Sequence, residues 1–394
     1  MTDRLRRLWR SVRSTASGHD KSFWALSDQA VVSLGTFLTN ILLARHLALP
    51  EYGTYALLTG TLLFLGGFHA ALVGYPLSVT GAEADENGLR RLAGTAVGLV
   101  LALALPLGAV MLGVASLIGR PGLGPYAFAV LVLSQLQETL RRGLMAHLRH
   151  REALWGDAVS CLGRAALVWV VARMGRLSVE AAFGVTALTF GLAGLLQAWQ
   201  LGVGRPAREE RRVVVGEFWT LGRWLVLSGF LYALSGYGVQ WGLAAFHGLA
   251  SVAEFHLMVN ITAVMNPVLL GLSALVVPFA AAVRVEGGVP AARRVTWKYA
   301  APGAAVIVPY CALIAVAPEW MLRAFYGAGT PYVSLAPLLR LFAYVLLVQA
   351  VVMTLEALLK GLACWWFIGS ATRAERTAAR AVPAPRLVPW MPRR

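Results

Sequence analysis

Long apolar runs separated by short polar segments make up most of this chain. Five of the runs contain no charged residue and reach the roughly 20 residues that cross the hydrocarbon core of a bilayer. They cover residues 93–119, 181–204, 224–246, 257–283 and 299–318. Five further spans, each shorter or interrupted by a polar or charged side chain, begin near residues 23, 53, 122, 153 and 334. The pattern predicts an all-α integral membrane protein with about ten complete transmembrane helices.

The composition supports the same class. Hydrophobic residues make up 58% of the chain and charged residues 14%, against about 25% charged in an average soluble domain. The net charge of +16 does not indicate nucleic-acid binding, because the basic residues are scattered between apolar runs and do not form one basic face. The three cysteines form no CxxC pair, so neither a disulfide framework nor a zinc site is indicated. We expect no metal, no cofactor and no nucleic-acid partner.

The distribution of Lys and Arg among the loops predicts the orientation. If ten spans alternate from a cytoplasmic N-terminus, 20 Lys and Arg residues fall in the inside segments ahead of the tail and 5 fall outside. This bias follows the positive-inside rule and predicts a multi-pass protein of the plasma (inner) membrane with a cytoplasmic N-terminus. Residues 1–20 have the pattern of a basic amphipathic helix on the membrane surface. A disordered basic leader is the alternative.

The chain contains an internal repeat. The segment FWALSD at 23–28 returns as FWTLGR at 218–223, and ETLRRGL at 138–144 returns as EALLKGL at 356–362. We interpret these matches as two parallel six-helix repeats, the second incomplete, an arrangement that in transporters encloses a central substrate cavity. The predicted divisions are a first six-helix lobe at 21–204, a cytoplasmic linker at 205–217, a second lobe of four helices at 218–362 and an atypical Arg- and Pro-rich tail at 363–394.

The junction between the first two predicted helices carries a family resemblance. The stretch LLARHLALPEYGTYALL at 42–58, the basic leader, the duplication and the ELLKG-like end of the tenth helix resemble the polysaccharide transporters. These are the Wzx-type lipid-linked oligosaccharide flippases of the multidrug, oligosaccharidyl-lipid and polysaccharide exporter superfamily. The likeness covers residues 4 to about 362 and departs at the tail, where the family has helices 11 and 12.

The resemblance implies a function in surface polysaccharide biosynthesis, such as that of O-antigen lipopolysaccharide or exopolysaccharide. A flippase of this kind moves a polyprenyl-diphosphate-linked oligosaccharide from the inner to the outer leaflet. Its implied partners are that lipid-linked sugar, membrane lipid and glycan assembly proteins. The lipid tail would stay in the bilayer while the diphosphate and sugars cross a wet groove between the two halves. A diphosphate taken out of water needs charged partners, so the groove should contain cations.

Two arginines in the apolar spans are candidates for contact with the diphosphate. Arg340 lies a turn or two into the tenth span, where a charged residue is a functional-site candidate by default; an interfacial Arg that reaches outward is the alternative. Arg223 holds the repeat position of Asp28, so the two would pair when an inner gate closes. Positive-inside anchoring is the alternative for Arg223. Asp28 is also a candidate for binding a coupling proton or cation.

Other polar side chains in the spans are candidates for hydrogen bonds to sugars, although polar residues also join helices. These candidates are Asn40, Gln240 and Asn260. Ion pairs within helices are expected where opposite charges are four residues apart or seven apart, which is two helical turns. The expected pairs are Glu138 with Arg142, Glu356 with Lys360, and Asp157 with Arg164.

Catalytic motifs are missing from the sequence. No P-loop, HExxH, nucleophile elbow or GxGxxG occurs, and the outside loops are short, so we expect a transporter and not an enzyme. One alternative is a drug or metabolite exporter of the same superfamily, which would favour acidic over basic groove residues. A membrane-embedded polysaccharide polymerase or ligase is a second. An inactive remnant is a third, because the tail at 363–394 replaces two expected spans and suggests truncation by a frameshift or early stop.

Overall fold

The computed structural model describes Trp24 and residues 27–378, and this part of the chain is helical with no β-strand. It divides into two compact units, and the chain passes from the first to the second between His256 and Leu257. The amphipathic helix expected at 1–20 lies outside the described residues. The all-α expectation is confirmed for the part of the chain that the structure describes.

Seven helices of the described chain are long and apolar enough to cross a membrane, which is the character of a multi-pass membrane protein. They are Leu49–Glu83, Glu86–Leu117, His150–Arg173, Val179–Leu201, Leu249–Leu272, Gly288–Val316 and Pro331–Lys360. The expected count of ten is not confirmed. One physical reason is visible at Gly124–Ala146, a helix over the span expected near residue 122, because its second half contains Glu138, Arg141 and Arg142.

Unit 1 contains seven helices and the first turns of an eighth among its described residues. They are α1 (27–46), α2 (Leu49–Glu83), α3 (Glu86–Leu117), α4 (Gly124–Ala146), α5 (His150–Arg173), α6 (Val179–Leu201), α7 (Arg208–His247) and α8 (Leu249–Thr262). Helix α4 packs against both α3 and α6, and α7 packs along α2. This packing places α4 at the centre of the unit.

Short polar residues begin two of these helices and a glycine ends one. The Asp85 side chain accepts a hydrogen bond from the Gly88 N–H at 2.8 Å at the start of α3, and the Ser178 hydroxyl accepts from the Ala181 N–H at 3.2 Å at the start of α6. A cap of this kind contributes about 1 kcal/mol. Helix α6 ends at Gly202, whose φ of 65° is in the left-handed region that glycine tolerates.

Two helices of unit 1 contain a π-helical turn. In α2 it covers Ala70–Gly74 and comes just before Pro76, which lacks an N–H and would clash with a carbonyl one turn earlier in a regular helix. In α5 it covers Ala158–Gly163. A π turn uses i→i+5 hydrogen bonds and takes an extra residue. The side chains that follow it are therefore rotated relative to those that precede it.

A glycine of a neighbouring helix packs against each π turn. A Cβ at Gly35 of α1 would lie 2.6 Å from the carbonyl carbon of Cys161, in the π turn of α5. A Cβ at Gly222 of α7 would lie 2.5 Å from the carbonyl oxygen of Ala71, in the π turn of α2. In both contacts the neighbouring atom belongs to the backbone, so the two helices can approach this closely only because the glycine has no side chain.

Unit 2 contains the rest of α8 and three later helices among its described residues. These are α9 (Asn266–Val316), α10 (Pro318–Tyr326) and α11 (Ala336–Ala378). Helix α9 breaks at Gly288, where φ is 67° and ψ is −167°, and this break separates the spans expected at 257–283 and 299–318. Helix α9 packs on α11.

Two tyrosines connect the later helices of unit 2 to α8. The Tyr310 hydroxyl donates to the Ile261 carbonyl at 2.7 Å, and the Tyr326 hydroxyl donates to the Leu257 carbonyl at 2.9 Å. Helix α11 continues beyond Leu362 to Ala378, the last residue that the structure describes. The remainder of the Arg- and Pro-rich tail, 379–394, lies outside the described residues.

The glycine contact between α7 and α2 generates a stability prediction. We expect Gly222→Ala to lower the free energy of unfolding by about 1–3 kcal/mol, because the new methyl group overlaps a backbone oxygen that cannot move freely. The matched control is Gly236→Ala on the same helix, where a Cβ would meet nothing within 4 Å. That variant should gain roughly 0.5–1 kcal/mol from its better helix propensity. Thermal unfolding of the purified protein in detergent measures both, and equal midpoints for the two variants would contradict the contact.

Candidate functional site

A buried ionic cluster in unit 1 centres on Arg141 of α4. Its Nη2 donates to Asp28 Oδ2 of α1 at 2.7 Å, and its Nε donates to Asp157 Oδ2 of α5 at 2.5 Å. Its Nη1 lies 3.3 Å from Glu138 Oε2 on its own helix. Asp28 and Asp157 are each only 2% exposed. One guanidinium thus joins three helices through two buried carboxylates.

Side chains next to the cluster extend it along α4. The Gln137 amide donates to the second oxygen of Asp157 at 2.9 Å. Arg142 pairs with Glu138 at 2.7 Å, which confirms the spacing-based prediction for this pair. The predicted pair of Glu356 and Lys360 in unit 2 is confirmed at 2.6 Å.

A cavity of about 490 Å³ lies beside the cluster within unit 1. Its lining along α2 extends from Tyr55 to Ala70, which at 1.5 Å per residue is about 22 Å. Tyr55 and Phe183 form an aromatic wall with ring centroids 5.5 Å apart, and the Glu138–Arg142 pair lines another part of the cavity. Its further polar lining consists of Thr59, His69, Ser134, Gln135, Gln137, Arg164 and Thr186.

The cavity also receives a buried arginine from α5. Arg164 is 8% exposed and lines the cavity. Its Nη2 donates a long bond of 3.3 Å to the Thr36 hydroxyl, and its guanidinium lies 5.7 Å from the centre of the Phe190 ring. The prediction that Arg164 pairs with Asp157 is wrong, because the π turn at Ala158–Gly163 lies between them and breaks the two-turn register.

A second cavity lies on another face of α2. It has a volume of about 540 Å³ and is lined mainly by apolar side chains of α2, α3 and α7: Leu57, Phe64, Val110, Val114, Leu117 and Trp241. Helix α2 therefore faces a charged cavity on one side and an apolar cavity on the other. Within the residues that the structure describes, no group of three or more His, Cys, Asp or Glu side chains is arranged to hold a metal.

The six predicted site residues are divided between the two units. In unit 1, Asp28 joins the Arg141 cluster, and the exposed Arg223 lies 5.5 Å from the ring of Trp224. Asn40 is half-buried, with its Oδ1 3.4 Å from His256, and Gln240 is 7% exposed. The partner of Asp28 in the structure is thus Arg141, where the sequence suggested Arg223.

The remaining two predicted residues lie in unit 2. Arg340 is exposed and its Nε donates to the Ala315 carbonyl at 3.2 Å, while Asn260 is 5% exposed. None of the six lines the charged cavity. Their proposed contacts with substrate remain predictions.

The sequence reasoning missed Arg141, Gln135 and the cavity position of Arg164. Arg141 is counted as a loop charge by the positive-inside rule, although it lies inside α4. A usable signal was present, because Gln135, Gln137 and Glu138 precede it within one predicted span. Several polar residues within two turns of a membrane helix indicate a polar face directed at protein or a cavity.

Comparison with solved structures identifies the fold of this chain. No protein-family model matches the chain, and no curated protein matches it. A multidrug resistance MATE family transporter of the MOP superfamily, in an inward-facing conformation, superposes with a TM-score of 0.67 at 17% identity, over 86% of this chain and 84% of that one. The chain has a MATE-like fold. Two more MOP superfamily structures agree with this result.

One is an outward-facing MATE family transporter, with a TM-score of 0.57 at 16% identity over 86% of this chain and 81% of that one. The other, from Pyrococcus furiosus, is described by a reverse polarity of its binding pocket and has a TM-score of 0.59 at 15% identity, with the same coverage. The MATE-like fold agrees with the superfamily to which the sequence resemblance pointed. The Wzx-type family within it is not confirmed.

The Arg141 cluster generates a second stability prediction. Replacing Arg141 with Met should destabilise unit 1 by about 3–5 kcal/mol, because it leaves buried carboxylates without a counter-charge. Adding Asp28→Asn and Asp157→Asn to that variant should recover most of the loss. Lys360→Met is the control, since that residue belongs to an exposed pair and should change stability by less than about 1 kcal/mol. Detergent unfolding of the variants checks this, and a triple variant no more stable than the single one would argue against the pairing.

Proposed function

We propose that this protein is a flippase that moves a polyprenyl-diphosphate-linked oligosaccharide from the inner to the outer leaflet of the plasma membrane. In this proposal its N-terminus is cytoplasmic and its product feeds surface polysaccharide biosynthesis. The observation that carries the proposal is the charged cavity of unit 1, about 490 Å³ in volume, among helices that are otherwise apolar.

Charge within membrane helices is the physical basis of the proposal. Ionisable residues are costly there and mark substrate or ion pathways. A buried ion pair contributes less stability than apolar side chains of the same volume often would. The cluster around Arg141 is therefore better explained by a need to handle polar or charged matter within the bilayer than by stability alone.

The two cavities of unit 1 support an amphiphilic substrate. The charged cavity suits a phosphate and sugar, and the apolar cavity beside Phe64, Leu117 and Trp241 suits a hydrocarbon chain. The solved structures with this fold are described as transporters, and the sequence resemblance adds the lipid-linked oligosaccharide as the substrate class.

A multidrug exporter of the same superfamily is the second candidate. The rings of Tyr55, Phe183 and Phe190 in the cavity lining favour it, because aromatic rings bind flat drugs and cations. Export of a cationic drug would call for a free carboxylate in the cavity. The carboxylate that lines it, Glu138, is already paired with Arg142, so the charges of the cavity favour an anionic substrate.

Reconstituted transport tests the proposal. The purified protein is placed in vesicles with a fluorescent polyprenyl-diphosphate-linked sugar, and an externally added membrane-impermeant quencher reports the fraction that has reached the outer leaflet. We expect a rate well above that of empty vesicles. A cationic fluorescent dye is the comparison substrate. Movement of the dye without movement of the glycolipid would favour the exporter and reject the flippase.

The predicted contact of Arg223 gives a third testable prediction. We propose that its exposed guanidinium meets the diphosphate, so Arg223→Ala should slow glycolipid movement about tenfold or more, as expected for the loss of a charge-assisted hydrogen bond. Membrane insertion should be unchanged. The matched control is Arg323→Ala, an exposed arginine in a pair with Glu319, which should keep the full rate. Equal rates for both variants would remove Arg223 from the proposed pathway.

A further inference from the structure

Arg164 differs from the other two arginines beside the charged cavity of unit 1. Arg141 and Arg142 each contact a carboxylate within 3 Å. In the part of the chain that the structure describes, no carboxylate lies within ion-pair distance of Arg164, and its buried Nε has no hydrogen-bond partner. A buried guanidinium with unused donors is costly unless an anion satisfies them.

Gln135 of α4 lines the same cavity and is also unsatisfied. It is 4% exposed, and neither its amide oxygen nor its amide nitrogen has a hydrogen-bond partner among the described residues. An amide of this kind can donate two hydrogen bonds and accept two. Buried polar groups in native proteins are nearly always partnered, so two such groups lining one cavity point to a ligand that supplies the partners.

From these two groups we infer that the charged cavity is a binding site for an anionic group attached to a hydroxylated ring, such as a sugar phosphate. Arg164 holds the anion and Gln135 bonds to a ring hydroxyl. The identification of the ligand as a lipid-linked sugar head group rests on the proposed function. The anion site itself rests only on the geometry of unit 1.

The other side chains that line the charged cavity also fit this ligand. The hydroxyls of Ser134 and Thr186 donate to backbone carbonyls of their own helices, to Leu131 and Ala182, so their lone pairs can accept bonds from sugar hydroxyls. The rings of Tyr55, Phe183 and Phe190 provide apolar faces for a sugar ring. A volume of about 490 Å³ is within the usual range for a small-molecule site, so it admits one or two sugar units with their phosphate.

The charged side chains around the cavity balance in number, but this balance does not provide the hydrogen-bond partner that Arg164 lacks. Three carboxylates (Asp28, Glu138, Asp157) and three arginines (Arg141, Arg142, Arg164) surround the region. Long-range attraction to the cluster reduces the cost of the Arg164 charge. It does not supply acceptors to the N–H groups of Arg164, because hydrogen bonds require contact within about 3.2 Å.

A binding experiment tests the site on the full-length protein in detergent. The free probe is a hexose 1-phosphate, and the lipid probe is a short polyprenyl-diphosphate-linked sugar. The comparison ligand is the same hexose without phosphate. We expect both phosphorylated probes to raise the unfolding temperature and the neutral hexose to leave it unchanged. A response to the lipid probe alone would assign the site to the head group in its lipid-linked form, and no response to either phosphorylated probe would overturn the proposal.

Variants of Arg164 and Gln135 separate a binding site from a structural role. Arg164→Gln should lower the affinity for both phosphorylated probes by about tenfold or more, as the loss of a charge-assisted hydrogen bond predicts. It should leave the ligand-free protein as stable as before or more stable, because it removes an unpaired buried charge. Gln135→Leu should bind inorganic phosphate as tightly as the unmodified protein does. It should bind the hexose 1-phosphate less tightly, so the difference in affinity between these two ligands should become smaller. Arg173→Gln is the matched control, an arginine of α5 that stacks on Trp169, and should bind like the unmodified protein.

The results also distinguish this site from the proposed function. Unchanged probe affinity in Arg164→Gln would overturn the site, even if glycolipid movement continues at its full rate. Loss of probe binding in that variant, combined with vesicles in which the unmodified protein moves no glycolipid, would retain the anion site and reject the flippase. A ligand-free Arg164→Gln protein that unfolds at a much lower temperature would assign Arg164 a structural role and overturn the proposal.

Discussion

The guanidinium of Arg141 is the interaction on which the polar interior of unit 1 depends. It lies on α4 and binds one carboxylate from α1 and one from α5, Asp28 and Asp157. Because either carboxylate left unpaired in apolar surroundings would cost several kcal/mol, α1 and α5 cannot separate from α4 without a large penalty. The constraint also determines which face of α4 remains for the cavity, the one that carries Gln135, Glu138 and Arg142.

The π turns distribute polar side chains between the cluster and the cavity. In α5, Asp157 precedes the turn and binds Arg141, whereas Arg164 follows it and lines the cavity. In an uninterrupted α-helix these two residues would share a face, about 10.5 Å apart along the helix axis. In α2, His69 precedes the turn at Ala70–Gly74 and bonds to Thr139 of α4 at 2.8 Å. Each turn is also the place where a glycine of another helix makes close backbone contact, so irregular backbone, tight packing and polar function occur together.

Features that depend on local pattern could be predicted from the sequence, and features that depend on tertiary contact could not. The apolar runs predict the long helices, and the spacing of four predicts the pair of Glu138 and Arg142. The contact of Asp28 with Arg141 joins residues 113 positions apart, and no local signal reports it. The π turn of α5 has no compositional signature either, which is why the pairing of Asp157 with Arg164 was wrong. The run of polar residues that begins at Gln135 was the sequence signal for the site. The sequence could not show which other helices this polar face contacts.

The arginines beside the cavity differ in whether their hydrogen-bond donors are already occupied. This difference matters more for binding an anion than the net charge of the cavity. An anion that enters must either compete with a carboxylate already bound to Arg141 or Arg142, or use a cation whose donors are unoccupied. The first route breaks an existing ion pair and costs about what the new contact returns, whereas Arg164 offers its donors after giving up one long bond to Thr36. A transporter must also release what it binds, and a ligand shifts an equilibrium only by its differential affinity for the two states. If the cavity binds an anion as proposed, binding and release at Arg164 would leave the Arg141 framework intact, because Arg141 keeps both of its carboxylates.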